Sequence, residues 1–283
     1  MSIPRLSARI DSFCYPDGTV ALSDIHLDIL QGEFCGILGS NGSGKTTLLR
    51  LLDGIIKEFS GSVLLDGADI RRLSPREIYG KVGLVFQNPD DQLFAHSVYE
   101  DVAFGPRNMG FAEQEVTRRV GEALESVDMA DLDKKDIHNL SYGQKKRVCI
   151  AGLLAMGHEI LLLDEPTAGL DPMGEYRMME LLTRLNQESG VTIVMATHSV
   201  DLVPVFLSRL HILSRGRLVR SGTPEEVFNA RDDLSSVKLR LPYIAELIHS
   251  LKSKDSLPFK RLPLTVGEAR REILELFKQH SSL

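Results

Sequence analysis

The sequence predicts an α/β fold built on a buried, largely parallel sheet, and three observations carry that prediction. Residues 82–86, 160–163 and 191–196 are short apolar runs without polar alternation, as strands covered on both faces are. A fourth short strand, 33–38, runs directly into a glycine-rich loop at Gly39, and helical spacing follows. Between Phe86 and Leu140 the texture becomes charged and helix-forming, which reads as a helical insertion in the α/β core.

Along the chain, residues 1–38 alternate apolar stretches with turn signals, and Tyr15-Pro16-Asp17-Gly18 reads as a tight turn between two strands. Residues 46–53 have helical spacing, with Gly54 as the stop. The insertion spans about residues 88–144, and 113–129 is its clearest helix. From about Phe228 a third texture begins, holding Pro242, Pro258 and Pro263. There Ile244, Leu247, Ile248 and Leu251 form an apolar stripe at helical spacing. After a loop over 253–264, Thr265 and Glu268 form a capping-box pattern that opens a second helix holding Ile273, Leu276 and Phe277. The expected domains are therefore 1–228 and a C-terminal extension, 229–283.

Composition excludes some functions. The 283 residues carry a formal net charge of −6, which speaks against a non-specific nucleic-acid binder. Lys145-Lys146-Arg147 is a candidate local basic patch. No apolar run approaches the roughly 18–20 residues needed to cross a bilayer, and no secretory signal opens the sequence. Cys14, Cys35 and Cys149 lack metal-ligand spacing. Cys35 and Cys149 read as buried hydrophobes, in keeping with reduced thiols and a cytoplasmic setting.

Two motifs carry chemistry. Gly39-Ser40-Asn41-Gly42-Ser43-Gly44-Lys45-Thr46 fits the phosphate-binding loop pattern, and with Thr47 makes up the expected ATP-binding stretch. Its glycines let backbone N–H groups approach phosphate oxygens, and the following helix adds its positive end. Lys45 is expected to reach the β- and γ-phosphates, and Thr46 a Mg²⁺ ion. In Leu161-Leu162-Leu163-Asp164-Glu165-Pro166, an apolar strand delivers two acids at its C-terminal end, where ligands gather in parallel sheets. An acid pair at a strand end is commonly just solvated; downstream of a phosphate loop it reads as Asp164 for Mg²⁺ and Glu165 for the attacking water.

With these motifs and Leu140-Ser141-Tyr142-Gly143-Gln144 in this order, residues 1–225 resemble the ABC ATPase family. The resemblance implies a P-loop NTPase (RecA-like) core with an antiparallel β subdomain, a helical signature subdomain and a small C-terminal helical extension. It implies ATP and Mg²⁺ as cofactors and further roles by position. Tyr15 matches the residue that stacks on adenine, and Gln87 the glutamine that senses Mg²⁺ and water. Ser141, Tyr142, Gly143 and Gln144 match the signature that contacts ATP held by an opposite subunit. Asp171 matches the D-loop aspartate and His198 the switch histidine on the γ-phosphate. Since a signature completes another chain's site, a homodimer or a heterodimer with a related ATPase is implied. Integral membrane subunits are the implied partners, with the chain peripheral on the cytoplasmic face.

Two positions depart from the family pattern. Tyr142 stands where the signature usually has glycine, and Gly169 where the D-loop commonly has a bulkier residue. A positive φ at 142 would be costly for tyrosine, but Ser141 and Gln144 form a capping-box pattern that predicts ordinary first-turn geometry there. Gln87-Asn88-Pro89-Asp90-Asp91-Gln92-Leu93-Phe94 and Val98 to Pro106 resemble the energy-coupling-factor importers of cobalt, nickel or vitamins, with most likeness to the cobalt ATPases. Leu93, Phe94 and Phe104 read either as core of the helical insert or as a groove for a coupling helix. The apolar stripe at 244–251 reads either as a cover for the core or as a dimer contact. Rival readings are an importer ATPase for another solute, a non-transport ABC protein on DNA or ribosomes, and a nucleotide sensor without turnover.

Overall fold

The computed structural model describes residues 3–229 and 239–280. The strands are β1 (Leu6–Cys14), β2 (Val20–Ile29), β3 (Phe34–Leu38), β4 (Ser60–Leu65), β5 (Ala68–Asp69), β6 (Val82–Val85), β7 (Ile160–Asp164), β8 (Thr192–Thr197), β9 (Arg209–Ser214) and β10 (Arg217–Gly222). The helices are α1 (Lys45–Leu52), α2 (Pro75–Tyr79), α3 (Val98–Asn108), α4 (Glu113–Ser126), α5 (Tyr142–Met156), α6 (Pro172–Ser189), α7 (Val203–Phe206), α8 (Pro224–Asn229), α9 (Tyr243–Lys254) and α10 (Val266–His280).

An antiparallel sheet in the order β2-β1-β4-β5 packs beside a six-stranded sheet in the order β10-β9-β3-β8-β7-β6. In the larger sheet β9, β3, β8, β7 and β6 run parallel and β10 closes one edge antiparallel. The expected turn joins β1 to β2, with Gly18 N–H donating to the Tyr15 carbonyl at 2.9 Å.

The apolar strand runs have a simple cause, because each strand feeds two cores. Phe34, Leu38, Leu161, Leu163, Ile193 and Met195 face a core shared with α3 to α6. Their neighbours Cys35, Ile37, Ile160, Leu162, Val194 and Ala196 face the core under the antiparallel sheet and α1. Each fully buried aliphatic side chain contributes roughly 1.5–3 kcal/mol, so no solvent face remains to call for polar alternation. Cys35 and Cys149 are both buried free thiols, and burial pushes each thiol up in pKa.

Some boundaries differ from expectation. The helix expected over 113–129 ends at Ser126, because Asp128 takes a left-handed φ of 57°. The helical content of the insertion runs on to Met156 in α5. Phe228 is fully buried in the main core, on the first-domain side of the expected boundary. Of the expected extension, 230–238 and 281–283 lie outside the described residues. Its two helices form a small cluster around Ile248, Phe259 and Ala269, while Leu241, Ala245 and Leu264 join the main core. The capping box at α10 is present: Thr265 Oγ1 accepts from Glu268 N–H, and the Glu268 carboxylate accepts from Thr265 N–H.

Asp53, after the last turn of α1, is buried, and burial alone pushes its carboxyl up from 3.8 to about 7. The folded state then holds this proton more tightly than the unfolded chain does. Its contribution to stability is fully present below pH 3.8 and is lost as the pH rises through about 7. Asp53→Asn is therefore expected to come close to the wild-type Tm near pH 4 and to exceed it by several degrees at pH 8, on the order of 4 kcal/mol at ~1.4 kcal/mol per pKa unit. Calorimetry at the two pH values checks this; an equal gap at both would remove buried ionisation as the cause.

Candidate active site

The parallel sheet orders the site. Its neighbouring strands β3, β8, β7 and β6 deliver the phosphate loop, His198, the Asp164–Glu165 pair and Gln87 beyond their C-terminal ends, the position at which parallel sheets bind ligands. A cleft of about 520 Å³ is lined there by Tyr15, Asn41, Lys45, Thr46, Asp164 and Glu165, among others. Gln87 and Thr47 also line it.

The loop needs its glycines for stated reasons. Gly44 sits at φ 106°, and a Cβ there would lie 2.9 Å from the Ala21 carbonyl oxygen. A Cβ on Gly39 would collide with the Leu213 carbonyl oxygen and with Ser43. Lys45 folds back along the loop, its Nζ donating to the carbonyls of Gly39 (2.9 Å) and Ser40 (3.3 Å). Tyr15 reaches the helix start, its hydroxyl 2.8 Å from Thr47 Oγ1, and the Phe13 ring braces it edge-on at 5.0 Å.

Thr46 Oγ1 donates to Asp164 Oδ2 at 2.7 Å. The other carboxylate oxygen, Oδ1, is buried without a hydrogen-bond partner, and burial raises the Asp164 pKa. A hydroxyl beside an orphaned carboxylate oxygen is the all-oxygen donor chemistry that Mg²⁺ prefers, so the residues fit the ion.

Glu165 is buried, and its Oε1 lies 2.9 Å from His198 Nδ1 and 3.5 Å from Lys45 Nζ. Its backbone takes φ 50°, a left-handed conformation that costs a residue bearing a Cβ about 1 kcal/mol. Its N–H donates to the Ala196 carbonyl at 2.9 Å, and its own carbonyl accepts from Lys146 Nζ at 2.7 Å.

The signature residues Ser141, Tyr142, Gly143 and Gln144 line no part of this cleft. Ser141 caps α5, with Ser141 and Gln144 exchanging both capping-box bonds. Tyr142 therefore sits in the first helical turn with ordinary φ. Its hydroxyl donates to the Gln87 carbonyl at 3.3 Å. A Cβ at Gly169 (φ 80°) would lie 2.9 Å from Tyr142 Cε1. The two departures from the family pattern thus face each other, the missing side chain at 169 making room for the added ring at 142. Asp171 caps α6, its Oδ1 accepting from Gly174 N–H at 2.6 Å.

The expected basic patch at 145–147 is not one. Lys145 pairs with Asp90 at 2.6 Å, Arg147 pairs with Asp128 at 2.6 Å, and Lys146 is 1% exposed. Burial pushes the Lys146 ammonium down to about 8. Sequence reasoning missed this lysine, and no sequence signal separates its inward position from its exposed-looking neighbours. Phe94 and Phe104 are not insert core either. They are 65% and 48% exposed and stack edge-on at 4.7 Å, while Leu93 packs partly against the core.

Residues 22–168 match the ABC transporter family. An ABC transporter ATP-binding protein of Geobacter sulfurreducens is 73% identical over 97% of this chain and 98% of its own length. The energy-coupling factor transporter ATP-binding protein EcfA of Methanococcus maripaludis is 47% identical over 96% of this chain and 98% of its own. Among solved structures, cbiO1 of Clostridium perfringens, described as part of the ABC transporter complex cbiONQ, is 44% identical with a TM-score of 0.76, covering 88% of this chain and all of that one. A dimeric post-hydrolysis state of the ATP-binding cassette MJ0796, bound to ADP and Pi, is 29% identical with a TM-score of 0.69 over 77% of this chain and 98% of that one.

Proposed function

We propose, because this chain belongs to the ABC transporter family as the ATP-binding subunit of an energy-coupling-factor transporter, that its ATP hydrolysis drives the uptake of cobalt ions. The observation that carries the hydrolytic part of the reading is Glu165, which lines the phosphate-loop cleft with its Oε1 near both Lys45 and His198; the cobalt part rests on the likeness to the cobalt ATPases.

In this reading Tyr15 stacks on adenine, and the loop from Gly39 to Thr47 wraps the phosphates with Lys45 on the β- and γ-oxygens. Glu165 orients a water for in-line attack on the γ-phosphorus while the bond to the ADP oxygen breaks. His198 stands beside the γ-phosphate and Gln87 beside the attacking water. Mg²⁺ at Thr46, Asp164 and Gln87 would neutralise charge on the phosphate oxygens.

Ser141 to Gln144, which line no part of the cleft, serve in this reading the ATP of a second subunit, identical or related, with Asp171 at the contact between the two. Of the stripe at 244–251, Ile248 is buried with Ile244 and Leu251 packed against it, and the exposed Leu247 is the position that a dimer contact persisting after ATP leaves would use. The exposed Phe94–Phe104 pair receives a helix of the membrane subunits, and the chain works as a peripheral protein on the cytoplasmic face. No described helix is long and apolar enough to cross a membrane.

The test is cobalt and nickel uptake in a strain lacking this chain, restored with wild type or with Glu165→Gln. Cobalt uptake restored by wild type alone is the expected result. Nickel uptake restored instead, or no response to either metal, would overturn the cobalt assignment, and the second result would point to a vitamin.

A further inference from the structure

Helix α5 places a buried charge where packing alone gives no reason for one. Lys146 is among the largest fully buried side chains of the protein. A buried ammonium is retained at a cost unless its hydrogens find acceptors. Its acceptor is a single backbone atom, the Glu165 carbonyl oxygen at 2.7 Å. Its other neighbours of note are the Tyr142 ring, whose centroid lies 5.2 Å from Nζ, within range of a cation–π contact, and the Glu165 and Asp164 carboxylates, whose charges favour the ammonium.

The acceptor is an unusual place on the chain. Glu165 bears a side chain yet sits at φ 50°, so its backbone needs holding from outside. Three hydrogen bonds do so. The Glu165 N–H is tied to Ala196 at 2.9 Å, and its carbonyl takes Ala168 N–H at 3.1 Å as well as Lys146 Nζ. Two of them are local to the sheet and the following turn. The third comes from a separate helix, and it is charge-assisted and shorter. Turning the Glu165 peptide would swing its carboxylate away from Lys45 and His198.

We propose that Lys146 is a positioning residue for the reaction, fixing the Glu165 peptide so that the carboxylate faces the cleft. This rests on the reading of Glu165 as the group that orients water. Lys146 lines no part of the cleft, and it stands one helical turn beyond the signature residue Tyr142. An ammonium kept only for packing or for general charge balance would act on stability or on ATP binding, whereas a positioning lysine acts on the chemical step through one residue.

The test is a double-mutant cycle on ATP turnover with Lys146→Met and Glu165→Gln, read as kcat and KM separately. In the wild-type background K146M is expected to lower kcat at least tenfold with the KM for ATP within about threefold. In the E165Q background the same substitution is expected to change the residual rate less than twofold, because the group it positions is already gone. Equal losses in both backgrounds, or a rise in KM that accounts for the loss, would overturn the proposal. So would an unchanged kcat in K146M. Should K146M fail to fold, K146Q goes through the same cycle under the same criteria. E165Q alone turning over at the wild-type rate would remove the water-orienting assignment and this proposal with it, and that arm is read independently of any Lys146 variant.

Discussion

Glu165→Gln is expected to keep ATP binding and to lose about 10²–10³-fold in turnover, some 2.7–4 kcal/mol of transition-state stabilisation. The substitution is close to isosteric, so a carbonyl oxygen still stands where Oε1 now meets His198 at 2.9 Å and Lys45 at 3.5 Å. The phosphate loop, Thr46 and Asp164 are untouched, so the groups that hold nucleotide remain. What goes is the negative charge that, in the proposed role, polarises and orients water. With binding intact and hydrolysis slowed, subunits that close around ATP should stay closed. Phosphate release gives the rate, and size-exclusion chromatography with ATP reads the trapped dimer. A variant that released phosphate at the wild-type rate would show that Glu165 does not serve the water.

The parts of this site legible in the sequence are those set by local chain. The loop from Gly39 to Thr46 is a contiguous pattern, and it stands in the structure between a buried strand and a helix as expected. The Ser141–Gln144 capping box is likewise local, and it predicts Tyr142 in a first helical turn, where the structure has it. Facts that depend on two distant segments were not legible. Tyr142 and Gly169 read as two unrelated departures, yet a Cβ at 169 would lie 2.9 Å from the tyrosine ring.

Lys146 is the sharper case. In Lys145-Lys146-Arg147 the three cations look alike. The helix turns by about 100° per residue, so it aims one at Asp90, one inward at the Glu165 carbonyl and one at Asp128. The run of charge says nothing of which one is buried. Phe94 and Phe104 illustrate the converse. An aromatic pair in a helical insertion reads equally well as core or as surface, and only the fold exposes it.

Lys45→Ala is expected to fail at the opposite step. Lys45 is buried, with its Nζ held by the Gly39 and Ser40 carbonyls at 2.9 and 3.3 Å. Its Nζ thus lies along the phosphate loop, and in the proposed role alanine would remove the charge-assisted bonds to the β- and γ-phosphates. At about 1.5–3 kcal/mol for each such bond, ATP affinity should fall roughly 100-fold or more, and turnover with it. The fold should survive, because the shortened side chain opens onto the cleft and leaves Gly39 and Ser40 carbonyls that water can reach. Titration with a fluorescent ATP analogue, beside a thermal melt, separates lost binding from lost structure. The two variants then divide the site. E165Q should form the ATP-bound dimer and not release it, whereas K45A should not form it at all. A K45A protein that bound ATP with wild-type affinity would show that the loop's N–H groups hold the phosphates without the lysine, and would remove Lys45 from the binding half of the mechanism.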